Sequence, residues 1–344
     1  PAHNEELLLE KALKSLRNQD YPNEMYDLIV VAHNCNDHTA KIAEREGART
    51  LERKDSRFTG KGHAIKYGLE HIECEFYDAV FIVDADSIVD KVALRELDRE
   101  IQQGARIMQC YNGLVNPDDS WFTRLMDISR TLGNEVLEPS KQTIGLSSHL
   151  MGNGMCFVKD VIKKYGWNAF SVGEDWEYYA RVVLKGERIT FVDKARVYHR
   201  ESVDLRQATS QRLRWSSGRF AIGAKYGLRL FFKGLKSGNI KKIDAAMPLL
   251  LPNPSLGINL TIIMLIITII LPYSYRGLIA GWYCILIVLQ LALFLVGVLH
   301  VKEKKTKLLA IIFAPIFLVW KFIIDIMSIA GRGRKFWVRT ERRL

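Results

Sequence analysis

The chain has 344 residues, of which 48% are hydrophobic and 25% charged, and a formal net charge of +11. Its five cysteines (Cys35, Cys74, Cys110, Cys156, Cys284) form no CxxC pair and fit buried thiols in a reducing compartment, which excludes a disulfide framework and a structural zinc site. Dispersed histidines without an HxxxH pair argue against a zinc hydrolase, and GxSxG and the phosphate-binding GxxxxGK[ST] loop are both absent.

Taken in chain order, residues 6–18 have helical period and residues 26–32 (YDLIVVA) suit a buried strand. Residues 37–47 read as a helix closed by glycine, and residues 64–73 as another helix. Residues 79–83 (AVFIV) form a second buried strand, ending at Asp84-Ala85-Asp86. This alternation argues an α/β layer with a largely parallel sheet, whose ligands sit at the carboxyl ends of strands, where His33 and Asp84 fall. Residues 121–137 carry an apolar stripe of Trp121, Phe122, Leu125, Met126 and Ile128 at helical spacing. A strand is expected at 155–158, a helix at 176–185, and a closing pair of strands at 189–192 and 196–198. Residues 206–232 read as a long basic amphipathic helix or helix pair.

Hydrophobic residues are unevenly spread. Up to about Lys242 the chain is mixed and charged, whereas residues 245–330 are dominated by Leu, Ile, Val and Phe. Apolar segments fall at 256–271, 278–299 and 308–330. The second is long enough to cross about 30 Å of hydrocarbon. The first reaches spanning length from about Leu249, kinked by Pro252 and Pro254. The third holds Lys321 and Asp325 four apart on one face, placed to neutralise each other. With the catalytic part cytosolic, two spans return the chain to the basic loop 302–307, as cationic residues favour the cytoplasmic side. A third full span would place the basic tail 332–343 outside, so a re-entrant or interfacial third segment, or a further crossing, is expected, and parity stays open.

Several residue groups suit chemistry, each beside a plainer reading. Asp84 and Asp86 around one small residue at a strand end can hold Mg2+ or Mn2+, hard ions that also bind diphosphate oxygens, or can form a solvated turn. Glu174-Asp175 can supply a general base or simply complement a helix dipole. Gln211-Arg212-Leu213-Arg214-Trp215 lies on the basic helix, where snorkelling arginines and a membrane-facing Trp are the alternative. Lys61, after Gly60, places an ammonium near phosphate or starts a helix. Gly152-Asn153-Gly154 permits close backbone approach of an acceptor or makes a turn.

In order, Pro1-Ala2-His3-Asn4-Glu5, Asp84-Ala85-Asp86, Glu174-Asp175 and Gln211–Trp215 resemble the family 2 glycosyltransferases, especially the cellulose synthase, hyaluronan synthase and ceramide glucosyltransferase branches. The turn from Asn34 to Thr39, Gly60-Lys61-Gly62, the segment from Gly152 to Phe157, and Trp337-Val338-Arg339-Thr340-Glu341-Arg342 extend the likeness across essentially the whole chain. The resemblance implies an α/β fold of glycosyltransferase A type, with a Rossmann-like mixed sheet flanked by helices and followed by C-terminal interfacial and transmembrane helices. It divides the chain into a catalytic domain (1–205), interfacial helices with the QRLRW motif (206–245), and membrane segments with a basic tail (246–344). The strand that normally precedes Pro1 is absent, so earlier sequence, an N-terminal membrane helix included, is expected.

By the same resemblance, Pro1, His3 and Glu5 lie near the nucleoside, Asp84 contacts the nucleotide and Asp86 the metal. Lys61 joins the donor site. Asp175, with Glu174 beside it, is the general base. Gln211, Arg214 and Trp215 cover the diphosphate and the acceptor end, and Gly152, Asn153 and Gly154 line the acceptor. Relatives carry an acidic pair where this chain has Ala32-His33, so His33 or Asn34 stands in for the nucleobase contact. The implied activity is inverting transfer from a nucleotide-diphosphate sugar, UDP by resemblance, to a growing polysaccharide. A lipid acceptor is the alternative, and a non-catalytic nucleotide-sugar sensor a weaker one. Expected partners are the donor, the acceptor, membrane lipids and export or accessory subunits, with a multi-pass plasma-membrane location and a cytoplasmic catalytic domain. Nucleic acid is not expected, because the cations flank apolar spans and are not interleaved with stacking aromatics.

Overall fold

The structure, a computed structural model, describes residues 1–251, 253–272 and 274–333. Pro252, the segment from Trp337 to Arg342 and most of the basic tail lie outside the described residues. Two compact units emerge, each assembled from separated stretches: Pro1–Val115, Glu138–Glu201 and Arg229–Ala245 in the first, and Asn116–Leu137, Ser202–Leu228 and Ala246–Leu344 in the second.

The first unit begins with α1 (Leu9–Arg17), β1 (Ile29–His33), α2 (Thr39–Arg45), β2 (Arg49–Arg53) and α3 (Lys61–His71). The β1 and β2 strands pair in parallel, and Ala2 bridges to Ala32 on the other edge. Gly47, at φ +65, closes α2 in the left-handed region, as its glycine suggests. Next come β3 (Ala79–Ile82), β4 (Ile88–Val89), α4 (Ala93–Gln102) and β5 (Ile107–Leu114). In the second unit, α5 (Trp121–Thr131) opens with a capping box between Ser120 and Thr123 and passes into a π turn at Leu132–Leu137. Back in the first unit, α6 (Glu138–Thr143), β6 (Met155–Val158), α7 (Lys159–Tyr165), α8 (Glu174–Leu184) and β7 (Ile189–His199) complete the sheet.

The five strands run in the order β3-β6-β5-β7-β4. Within this five-stranded sheet only β5 with β7 is a parallel pair among the described strands. Pairs β3–β6, β5–β6 and β4–β7 are antiparallel. The sheet is therefore mixed rather than largely parallel, because β6 returns between β3 and β5 after a long connection and enters from the opposite end. All eight residues of β5 are buried. The expected closing strand pair is one continuous strand, β7, whose register against β5 shifts between Cys110 and Tyr111. The shift absorbs the exposed Asp193-Lys194, so the polar interruption bends the strand without ending it.

The basic helical region resolves into α9 (Leu205–Ile222), a π turn at Gly223–Gly227 and α10 (Leu228–Lys236), followed by α11 (Ile240–Leu250) and α12 (Pro254–Ile270). Asn253 caps α12, accepting from Leu256 N, and Pro254 sits in its first turn, where a missing N–H costs nothing. Then come α13 (Arg276–His300), α14 (Lys304–Ala310) and α15 (Ala314–Ile329). Two stretches, Arg276–His300 and Lys304–Ile329, are long and apolar enough to cross a membrane.

Within the second unit two buried charged groups of these helices are paired. Asp325, fully buried, accepts from Ser216 Oγ at 2.9 Å and Asn253 Nδ2 at 3.0 Å and meets the Lys321 ammonium, the neutralisation their spacing suggests. Lys307, 1% exposed, reaches Pro117 O, Asp118 and Asp127 at 2.9–3.0 Å, tying α14 to α5.

Candidate active site

Three polypeptide segments of the first unit converge beyond the end of β3. Asp84 N donates to Asn153 Oδ1 at 3.0 Å, and Asn153 Nδ2 donates to Ser87 Oγ at 2.9 Å. Gln109 Nε2 donates to Asn153 O at 2.8 Å, and Gly154 N to Ile82 O at 3.1 Å. Asn153 thus staples the turn from Asp84 to Ser87 to β5, with its own side chain satisfied. Its neighbours Gly152 (φ +81) and Gly154 (φ +71) occupy the left-handed region that makes this tight loop possible.

Lys61 is the first residue of α3, after Gly60 at φ +105. Its ammonium donates to the Asp84 carboxylate and to Gly152 O. Burial alone would lower its pKa, but the Asp84 and Glu174 carboxylates outweigh that effect and hold it above the ordinary value, so it stays charged. Asp86 lies on the same turn, Oδ1 3.5 Å from Ser87 Oγ.

Glu174 and Asp175 form the first turn of α8, behind Gly173 at its N-cap, so both also complement the helix dipole. Asp175 Oδ1 accepts from Trp176 N at 2.8 Å. Its other oxygen borders Gly152, where a β-carbon would stand 3.3 Å from Asp175 Oδ2. Burial and the Asp175 charge push Glu174 up to about 7. Burial likewise raises Asp175, against the Trp176 N–H, Lys61 and His149, which favour its charged form. Two carboxylates this close titrate as one system.

The loop before α8 is held by packing. Trp167 stacks on Tyr178 at 4.4 Å between centroids, and Phe157 meets both edge-on. Glu177 Oε2 accepts from Phe170 N and Ser171 N, while Oε1 pairs with Arg181 at 2.9 Å. Ala169 O fills the space where a β-carbon on Gly62 would lie, only 2.1 Å away. The start of α3 and the approach to α8 therefore press together, fixing Lys61 relative to Glu174 and Asp175.

At the N-terminal side, His3 Nδ1 donates to His33 O at 2.8 Å, and Glu5 N donates to Thr39 Oγ1 at 2.8 Å. His33 is buried, and its Nε2 donates to Phe58 O at 2.8 Å. Burial lowers its pKa, which keeps the ring neutral near pH 7. Asn34 Oδ1 accepts from Asp55 N at 2.7 Å, and its Nδ2 donates to Asp55 O and Phe58 O at 3.1 Å. Both side chains brace the loop at 55–58. Pro1 precedes the Ala2 bridge to β1.

Gln211, Arg214 and Trp215 lie on α9 in the second unit, where the Arg212 guanidinium sits 4.6 Å over the Trp215 ring. Trp320 Nε1 donates to Thr209 Oγ1 at 3.1 Å, and Ser328 Oγ to Leu213 O at 3.3 Å, so α15 braces the motif helix.

Among the described residues no group of three or more His, Cys, Asp or Glu is placed to hold a metal ion. The Asp84 and Asp86 carboxylates nevertheless fit Mg2+ or Mn2+, because such ions are commonly bound by one or two carboxylates plus substrate phosphates and water.

Residues 1–218 match the model of the glycosyltransferase-like family 2. The chain belongs to the family 2 glycosyltransferases. This glycosyltransferase is 24% identical over 243 residues to the probable glycosyltransferase YdaM of Bacillus subtilis, covering 68% of this chain and 57% of that protein. It is 24% identical over 241 residues to the poly-beta-1,6-N-acetyl-D-glucosamine synthase of Staphylococcus aureus, covering 68% and 56%. It thus spans little more than half the length of these relatives. The mannosyltransferase PcManGT from Pyrobaculum calidifontis, solved with GDP-Man and Mn2+, superposes with a TM-score of 0.59 at 17% identity, over 96% of this chain and 86% of that one. The fold is accordingly of the glycosyltransferase A type, as expected.

His149 and Glu138 are functional candidates that no motif marks. They lie 11 residues apart in a stretch without period, and only the folded chain brings them together beside Asp175's helix.

Proposed function

We propose that this glycosyltransferase transfers a sugar, with inversion, from a nucleoside-diphosphate donor to a growing polysaccharide at a membrane. The observation that carries the reading is Gly152. Its carbonyl accepts from Lys61, which also binds Asp84, and its α-carbon borders the Asp175 carboxylate. A base and a fixed cation thus flank one small residue.

In this reading Asp175 takes the proton of the acceptor hydroxyl as that oxygen bonds to the anomeric carbon. The bond from that carbon to the diphosphate oxygen breaks on the opposite side. Raised pKa values suit the task, since a base whose pKa lies nearer the working pH drives proton removal better. Asp86, with Asp84, would hold Mg2+ or Mn2+, which when bound supplies charge neutralisation to the diphosphate. Lys61 contributes a permanent cation in the same place. Gln211, Arg214 and Trp215 are assigned to the diphosphate and acceptor end, Arg214 offering fixed N–H donors to developing charge. Pro1, His3, Glu5, His33 and Asn34 are assigned to the nucleoside, and the glycine loop from Gly152 to Gly154 to the acceptor. The polysaccharide relative and the two apolar helices support a membrane-bound polymerising enzyme, and its catalytic unit is assigned to the cytoplasm because the basic loop 302–307 favours that side.

Incubating the membrane-embedded chain with a panel of labelled UDP- and GDP-sugars tests this. Asp175→Asn should lower turnover by about 10²- to 10⁴-fold while donor binding persists. Wild-type turnover in that variant would sink the assignment. A product ladder indicates polymer synthesis, whereas a single glycolipid spot indicates a lipid acceptor.

A further inference from the structure

An acid–imidazole pair stands behind the proposed base. Glu138, the first residue of α6, is 4% exposed, and its Oε1 lies 2.7 Å from His149 Nδ1. Burial would raise this carboxyl, but His149 outweighs it, and Ser148 and Lys141 assist, so it remains ionised. The His149 ring stacks on Trp176, with centroids 5.2 Å apart and planes 16° from parallel. Trp176 follows Asp175 directly, and its N–H is the donor to Asp175 Oδ1.

We propose that Glu138 and His149 are positioning residues for Asp175. Glu138 orients the imidazole and Trp176 clamps the ring, so that the imidazole is held where it favours the ionised form of the base. This rests on reading Asp175 as the base. The residues around the pair allow the role. Facing Asp175 are Glu174 on its own helix, Lys61 on α3 and His149 on the loop before β6. Glu138 faces His149, Ser148 and Lys141, and Lys141 is engaged by Asp244 at 2.8 Å. The buried Tyr179 hydroxyl lies near both Glu138 and Asp244, and those charges together with burial hold it protonated. No other cation among these is mobile enough to replace His149, since Lys61 is committed to Asp84 and Gly152. A neutral residue at 149 would leave two raised carboxyls facing one lysine.

The test measures protonation directly. In the solubilised full chain, infrared titration follows the protonated-carboxyl band that disappears in Asp175→Asn. Its midpoint should move up by about one pH unit in His149→Gln, the size expected when a nearby opposite charge is removed. His149→Lys, which restores a cation, should return it toward wild type. An unmoved carboxyl midpoint in a folded His149→Gln protein, checked by circular dichroism, overturns the proposal, as does failure of the Lys variant to restore it. In the transfer assay the acid limb of kcat/KM should move with the band. If the band moves but no donor is turned over, the glycosyl-transfer reading fails and the coupling stands.

Discussion

At Gly152 two requirements meet in one residue. Its φ of +81 excludes most side chains, and a β-carbon would face Asp175 Oδ2 at 3.3 Å. Gly152→Ala should therefore lower kcat more than thermal stability, which steady-state kinetics and a melting curve compare directly. Glu174 contributes through charge. Burial raises both carboxyls, and the Asp175 charge raises Glu174 further, so activity should fall with falling pH as the pair takes up protons and the base is lost. Removing that like charge in Glu174→Gln should lower the pKa that remains and move the acid limb of kcat/KM to lower pH. Loss of turnover together with the acid limb would mean that Glu174, not Asp175, is the base.

Among the elements, α3 and α8 matter most, because their first turns carry Lys61, Glu174 and Asp175. Their spacing is set by the contact of Gly62 with Ala169 O and by the Phe157–Trp167–Tyr178 cluster. Gly62→Ala forces a β-carbon into a backbone oxygen, so overpacking should cost about 1–3 kcal/mol by urea denaturation. Activity should drop further than that loss explains, since the same shift moves Lys61 from Asp84. The helix of the QRLRW motif is treated differently by the fold. It is held by hydrogen bonds from Trp320 and Ser328 and by the buried Asp325 at Ser216, groups spread over more than 100 residues of sequence separation.

At the scale of the whole molecule, two helices are of spanning length and many apolar side chains on α12, α13 and α15 are exposed. Contiguous exposed apolar surface of this kind marks a membrane or protein interaction site, and the proposed membrane-bound enzyme would bury it in lipid. The expressed chain should remain with the membrane pellet after high-salt and alkaline extraction, and release by salt alone would refute a spanning arrangement.

The sequence by itself determined the elements whose periodicity is strong, namely β1, β3, β6, α8 and the apolar helices, and the order of the acidic motifs. It also placed Asp84 and His33 at strand ends. It did not mark β5, the fully buried central strand, because Gln109, Cys110 and Asn112 interrupt its apolar pattern while being satisfied by partners such as Asn153 and His199. Nor did it reveal the mixed pairing, the continuity of β7, the Lys61–Asp84–Gly152 junction or the Glu138–His149 pair. The reason is physical. Local periodicity records which face of an element is buried, but contacts closed across 11 to 91 residues depend on how loops return the chain, and only the folded structure decides that.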